Sequence, residues 1–268
     1  MPCIQGLAIA VARTVAICSV LALASQAHAA VEIIGTVPSY DSDVRAKLAA
    51  TGRFSSVDYF NASAGTPGAT NLAQYSSVLV YADAGFADAT TLGNNLDAYL
   101  RAGGGVVVAV FAIVNGSYGL SASSFGNDFA LDSSAVQDGA QAQLGTINIP
   151  ADPLVAGVTS FDNGSSGYYN SSATLVPGAV DVADYSNGVP LVVKRNIGGV
   201  ETVNLNFYPP SSNVRGDFWT ASTDGTILLA NALQTAGVQA SVPEPMSLAL
   251  LGTALAGVGV LRRRQKAA

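Results

Sequence analysis

Four polar residues stand where an α/β protein could bind a ligand, because each follows a stretch that the sequence predicts to be a buried β-strand. These stretches span residues 31–37, 77–81 and 106–111 and are rich in β-branched residues. The carboxyl ends of parallel strands meet at one edge of a sheet, where carboxylate and amide groups can bind a cation or a sugar. The four candidate ligand residues are Asp41, Asp83, Asp88 and Asn115.

The same residues also have ordinary structural roles open to them. Asp41 is a candidate N-cap for a helix predicted over residues 41–50, and Asp88 for one predicted over residues 88–101. Asp83 could belong to a solvated turn. A glycosidase would use two such carboxylates about 5 to 10 Å apart, one with a raised pKa, but the sequence does not select the pair.

Three pairs of aromatic residues are candidates for stacking against sugar rings. A flat ring covers the apolar face of a sugar, although most aromatic side chains pack in a core instead. The pairs are Tyr168–Tyr169, Phe207–Tyr208 and Phe218–Trp219.

Residues 1–29 are typical of a secretory signal peptide, in which Ala27 and Ala29 form a small-x-small cleavage pattern. The cysteines and the single histidine of the chain all lie within it: Cys3, Cys18 and His28. The exported chain should therefore lack a cysteine nucleophile, a Ser/His/Asp triad, a His-ligated zinc site and a disulfide framework. No catalytic residue, metal or cofactor is assigned, and we expect a protein without enzymatic activity.

The charge of the chain argues against nucleic-acid binding. The whole sequence has a net charge of −6, and its two ends contain five of the twelve Lys and Arg residues but only one acid, Glu244. The region between the ends is therefore more acidic than the whole. Such a surface repels nucleic acid and anionic lipid and is compatible with neutral sugars or divalent cations.

The central region, residues 31–240, is expected to form one extracytoplasmic α/β domain. Short apolar runs alternate with helical patterns in its first half, which indicates a flavodoxin-like layered fold with a mostly parallel sheet. Residues 113–170 are rich in Gly, Ser and Asn and favour loops with short strands at 143–149 and 158–161. The turn at 196–199 predicts a hairpin between two antiparallel edge strands.

Residues 242–268 have three parts. A proline-bracketed acid, Val242-Pro243-Glu244-Pro245, precedes an apolar stretch at 246–261, and a basic cluster at 262–266 follows. Sixteen helical residues reach about 24 Å, short of the ~30 Å hydrocarbon core, so a transmembrane helix here would need help from snorkelling basic side chains. The basic cluster includes Arg262, Arg263 and Arg264, which the positive-inside rule places on the cytoplasmic side.

This order of motif, apolar helix and basic stop resembles the PEP-CTERM sorting signal of Gram-negative bacteria. The resemblance implies export and handling by an exosortase, a membrane protease, after signal peptidase and the export machinery have acted. It also implies an inner-membrane anchor through the C-terminal helix, at least transiently, and then a place at the cell surface or outside the cell. An exopolysaccharide of a biofilm is the further partner that such a sorting system suggests.

The central domain resembles the class I glutamine amidotransferase-like fold. The similarity rests on four stretches, residues 75–83, 99–108, 152–158 and 224–233. An amidotransferase places its cysteine directly after the central strand, whereas this chain has apolar residues at 110–114. The resemblance therefore implies a scaffold without the amidase reaction. We expect a non-enzymatic binding or scaffolding domain linked to exopolysaccharide, and the alternative is a carbohydrate-active hydrolase that uses paired carboxylates.

Overall fold

The computed structural model describes residues 29–114, 118–132 and 139–238. Most of the predicted signal peptide, Asn115, and the tail from 239 onward lie outside these residues. Within the three described stretches, no helix is both long enough and apolar enough to cross a membrane.

One eight-stranded sheet forms the centre of the domain, with the strand order β2-β1-β3-β4-β8-β7-β6-β5. The first five strands in this order run parallel to their neighbours, and β7, β6 and β5 extend the sheet by antiparallel pairing. The predicted α/β class, mostly parallel with an antiparallel edge, is confirmed. The strands are β1 (Val31–Gly35), β2 (Val57–Asn61), β3 (Ser77–Val80), β4 (Gly105–Ala109), β5 (Leu144–Ile147), β6 (Ala179–Tyr185), β7 (Pro190–Ile197) and β8 (Val200–Leu205).

Four α-helices cover the two faces of the sheet. Helices α1 and α4 contact each other on one face, and α2 contacts α3, which packs against β4. The strands β1, β3 and β4 are buried along their whole length because they lie between these layers. The helices are α1 (Pro38–Ala50), α2 (Ala69–Leu72), α3 (Ala89–Arg101) and α4 (Gly225–Val238), and short 3₁₀ helices span Ser124–Asp128 and Pro153–Val155.

Three sequence predictions need correction. Helix α1 begins at Pro38, so Val37 rather than Asp41 is its N-cap residue; proline is favoured in the first turn because it has no N–H to leave unpaired. Strands β7 and β8 form the predicted hairpin but neither is an edge strand, because β8 also pairs with β4 and β7 also pairs with β6. Residues 158–161 form no strand; next to them, Asp162 makes only an isolated bridge to Gln143.

The described chain enters and leaves the domain at the amino edge of the parallel strands. The carbonyl of Ala30, just before β1, accepts a hydrogen bond from the N–H of Ser76, just before β3. At the other end of the chain, α4 reaches the start of β4 so closely that a Cβ on Gly105 would lie 2.4 Å from the backbone of Ala236. The ends of the described chain, Ala29 and Val238, therefore both lie away from the carboxyl edge.

Candidate functional site

The carboxyl ends of β1 and β3 form the point where the sheet changes its direction of winding. The chain moves outward from β1 to β2 and then returns to place β3 on the other side of β1. A crevice opens at such a point in α/β sheets and is where they bind ligands. Thr36, after β1, spans it: its hydroxyl accepts hydrogen bonds from the N–H groups of Asp83 and Ala84 at 2.9 and 3.0 Å.

Asp41 lies beneath this crevice and is only 1% exposed. Its Oδ2 accepts hydrogen bonds from the Tyr59 hydroxyl at 2.8 Å and the Val37 N–H at 3.0 Å, whereas its Oδ1 has no partner. The pKa of Asp41 is raised to about 6. Burial is the main cause and nearby Asp83 adds to it, while the neighbouring Tyr81 and Tyr59 hydroxyls partly oppose the shift. A buried carboxylate with a free oxygen and no ion pair among the described residues would be stabilised by an added positive charge.

Two buried phenols add to the unsatisfied polar atoms at this edge. Tyr81 extends from β3 beside Asp41, and Tyr208 follows β8 beside Asp83; they are 0% and 3% exposed. Neither hydroxyl makes a hydrogen bond of ordinary geometry, but Tyr81 lies close enough to Asp41, and Tyr208 to Asp83, to lower the pKa of that carboxyl group. Burial also raises the pKa of Asp83, whose side chain is partly exposed. Since buried polar groups in native proteins are nearly always paired, buried hydroxyls without such a bond mark this edge as a candidate ligand site.

A cluster of aromatic rings adjoins Asp83 through Tyr208, whose hydroxyl lowers the pKa of that carboxyl group. Tyr208 lies at its centre, with ring centroids 5.0 Å from Phe218, 5.6 Å from Phe111 and 6.1 Å from Tyr168. Phe111 and Tyr168 are partly exposed, so parts of their rings face solvent. Rings held in this way can pack against the apolar face of a sugar or against an organic cation.

Arg215 lies beside the aromatic cluster, and its positive charge is paired with a carboxylate. Its guanidinium makes two hydrogen bonds of 2.6 Å with the Asp217 carboxylate, and donates one of 2.7 Å to the Tyr168 hydroxyl. It also stacks on Phe218, with Cζ 4.6 Å from the ring centroid. Arg215 holds the pKa of Asp217 at about 2 and partly offsets the rise at Asp83. The Arg215 guanidinium is therefore paired with the Asp217 carboxylate and forms no ion pair with Asp83.

Phe111 lies two residues after the end of the central strand β4. The Val110–Phe111 peptide bond is cis, and the Phe111 ring points to Tyr168 and Tyr208. Residues 110–114, where the resemblance would place the nucleophile of an amidotransferase, are apolar, and Phe111 offers only a ring face. Within residues 29–114, 118–132 and 139–238, no cluster of three His, Cys, Asp or Glu side chains could hold a metal ion.

The structure separates the four predicted ligand residues. Asp41 and Asp83 come together, as expected from their strands. Asp88 is a fully exposed N-cap of α3 instead, and its carboxylate accepts hydrogen bonds from the Thr91 N–H and hydroxyl at 2.9 and 2.6 Å. Those hydrogen bonds lower the pKa of Asp88, and its role as a helix cap explains why an aspartate occurs at this position. Asn115 lies outside the described residues.

The aromatic pairs divide in the same way. One member of each pair, Tyr168, Tyr208 and Phe218, joins the cluster, and the other member is buried elsewhere in the core. The sequence analysis missed Tyr81 and Phe111 because both extend apolar strand patterns and are typical of core residues there. Their position within two residues after the ends of strands β3 and β4 is the signal that could have identified them.

Comparison with known protein families identifies the end of the chain. Residues 241–264 match the PEP-CTERM protein-sorting motif. The predicted sorting signal is thereby confirmed, and it implies export and membrane-associated sorting by an exosortase. The PEP-CTERM match covers the tail and leaves the domain at 29–238 unassigned. A search of curated proteins finds no match for the chain.

Solved structures share the fold of the domain. A ThuA-like protein from Parabacteroides merdae aligns with a TM-score of 0.56 and 17% identity over 78% of this chain and 89% of its own. A second ThuA-like protein, from Bacteroides uniformis, aligns with a TM-score of 0.51 and 14% identity over 77% of this chain and 90% of its own. A glutamine amidotransferase from Thermotoga maritima reaches a TM-score of 0.49 and 13% identity, over 80% and 94% of the two chains. At these identities the likeness to the ThuA-like proteins shows a common fold alone.

Proposed function

We propose that this PEP-CTERM protein is an envelope or extracellular-matrix component that binds exopolysaccharide through the carboxyl edge of its sheet, without enzymatic activity. The observation that carries the proposal is the arrangement around Asp83. Partly exposed rings of Phe111 and Tyr168 belong to the aromatic cluster that adjoins Asp83 through Tyr208, and Asp83 is partly exposed and forms no ion pair. Sugar hydroxyls could donate to the carboxylate, and the apolar face of the ring could cover the aromatic side chains.

The absence of turnover is the second part of the proposal. The described residues that surround Asp83 include no Cys and no His, and Phe111 stands after the central strand. Sorting by the PEP-CTERM tail supports an extracytoplasmic partner, and a polymer such as a biofilm exopolysaccharide fits that location. The signal peptide at 1–29 and a membrane anchor at 246–261 belong to this proposal.

A carbohydrate-active hydrolase is the second candidate, because one observation favours it. Asp41 and Asp83 are neighbouring carboxylates with raised pKa values, and a glycosidase needs one protonated and one ionised carboxyl group. Against it, Asp41 is 1% exposed, so a glycosidic bond could reach it only if the covering residues moved.

One experiment separates the two candidates. Full-length protein in mild detergent is mixed with the polysaccharide of its own host, and both co-sedimentation and new reducing ends are measured. Binding without new ends is expected, together with a loss of binding in Phe111→Ala. Val180→Ala is the matched control, since Val180 is an exposed apolar residue on β6, away from this edge. New reducing ends that disappear in Asp83→Asn would establish the hydrolase, and absence of both signals would overturn both candidates.

A further inference from the structure

The charges at the carboxyl edge point to a more specific ligand than a neutral sugar. Asp83 and Asp41 are two carboxylates close enough to interact electrostatically, and neither forms an ion pair with a described Lys or Arg. Arg215 lowers the pKa of Asp83, but its guanidinium is paired with Asp217. These four residues bring together three carboxyl groups and one guanidinium, so the region around Asp83 carries net negative charge.

The surroundings of the carboxylates favour an organic cation over a metal ion. A calcium or magnesium site uses six or more oxygen ligands, whereas Asp83 adjoins an aromatic cluster through Tyr208. Aromatic faces attract ammonium groups, especially where water is excluded. The hydroxyls of Tyr81 and Tyr208 are too buried to contact a ligand directly, but each lies beside one of the two carboxyl groups and stabilises its charged form.

We propose that the carboxyl edge binds a cationic amino sugar, with its ammonium group at Asp83 above the buried charge of Asp41 and its pyranose ring against Phe111 and Tyr168. This inference rests on the proposed function and names its ligand class: a polysaccharide that contains free amino groups, such as a polymer of de-N-acetylated hexosamine. Asp83 makes the direct contact because its side chain is partly exposed. Asp41 is buried and attracts the ammonium group of the ligand through its negative charge, without direct contact.

Proton release on binding is a consequence that a neutral sugar would not share. The pKa of Asp41 is about 6 in the free protein, and a nearby ammonium would lower it, so Asp41 loses its remaining proton when the ligand binds. The groups that face the two carboxylates are phenols, which stay neutral at this pH, and the paired Arg215 and Asp217. The phenols are Tyr59 and Tyr81, which face Asp41, and Tyr208, which faces both Asp41 and Asp83.

The test compares three tetrasaccharides that differ mainly in charge. Full-length protein in mild detergent is titrated calorimetrically at pH 6.5 with β-1,4-linked tetramers of glucosamine, N-acetylglucosamine and glucose. The glucosamine tetramer is expected to bind at least tenfold more tightly than the other two, with weaker binding in 0.5 M salt. Titration at pH 5 in two buffers of different ionisation enthalpy should show proton release, because the ligand amines are then already protonated and Asp41 still holds most of its proton.

Two substitutions control for charge at the same edge. Asp83→Asn should remove the tenfold preference, while Asp88→Asn, which neutralises an exposed capping residue nearby, should leave it unchanged, because asparagine also caps helices. Equal binding of all three tetramers would overturn the inference and leave the proposed function standing. If none of the three binds but the host polysaccharide does, the inference also fails. A lysine-containing tetrapeptide that binds as tightly as glucosamine would overturn the sugar part of it.

Discussion

Replacing Asp41 with asparagine should stabilise the protein at neutral pH and leave it nearly unchanged in acid. Burial raises the pKa of Asp41 from 3.8 to about 6, so between these pH values the folded protein keeps a proton that the unfolded chain has released. The favourable effect of protonation is complete below about pH 4 and is lost as the pH rises through 6. A shift of about 2 units corresponds to about 3 kcal/mol of stability lost by pH 7.5.

Asparagine has nearly the shape of the protonated carboxyl and carries no charge. Its side-chain oxygen can accept the hydrogen bonds that Tyr59 and Val37 donate to Asp41. We therefore expect Asp41→Asn to gain about 3 kcal/mol at pH 7.5 relative to its effect at pH 4. For a domain of this size, such a gain raises the melting temperature by roughly 6 to 12 °C.

The assay is guanidinium denaturation of the full-length protein in mild detergent at pH 4 and pH 7.5. Trp219 is the single tryptophan and is 1% exposed, so its fluorescence reports unfolding. Asp88→Asn is the control, since hydrogen bonds lower rather than raise the pKa of this exposed acid. If Asp41→Asn gave the same change at both pH values, or destabilised the protein at pH 7.5, the argument from burial would be wrong.

Three further predictions concern other parts of the chain. Glu32→Gln should stabilise the protein at pH 8.5 but not at pH 4, because burial first and Asp58 second raise the pKa of Glu32 to about 7; denaturation at both pH values measures this. Gly105→Ala should destabilise the domain by about 1 to 3 kcal/mol in thermal unfolding, because the new Cβ would meet the backbone of α4. Replacement of the arginines at 262–264 by glutamine should reduce the membrane-bound fraction in cell fractionation, and unchanged fractionation would count against sorting through this tail.

Helices and turns were predictable where the sequence contains both a capping residue and a regular spacing of apolar residues. Helix α3 begins after Asp88 and buries Leu92 and Leu96, as their spacing indicates. The hairpin between β7 and β8 was also predictable, because Gly198 and Gly199 adopt positive φ values that the turn requires. The helix and the hairpin depend on residues close together in sequence, so a local sequence pattern is enough to predict them.

The features that escaped prediction depend on partners distant in sequence. Strand β8 has an ordinary alternating pattern, and nothing local says that it pairs with β4 rather than lying at the edge. A short strand was expected at 143–149 and is confirmed as β5, but nothing local says that it pairs with β6 at the edge of the sheet. At the candidate site, Asp41 and Asp83 were predictable as residues after strands, but the position of Tyr81 and Tyr208 beside them is set by packing among separate strands.

The position of the two chain ends sets the direction in which the domain faces. Ala29 and Val238 both lie at the amino edge, and only three residues separate Val238 from the PEP motif at Val242, so the connection spans at most about 14 Å. A strand of five residues adds about 17 Å between the two edges of the sheet. A protein held at a bilayer by its tail would therefore carry Asp83 and its aromatic neighbours on the side of the domain away from the point of attachment.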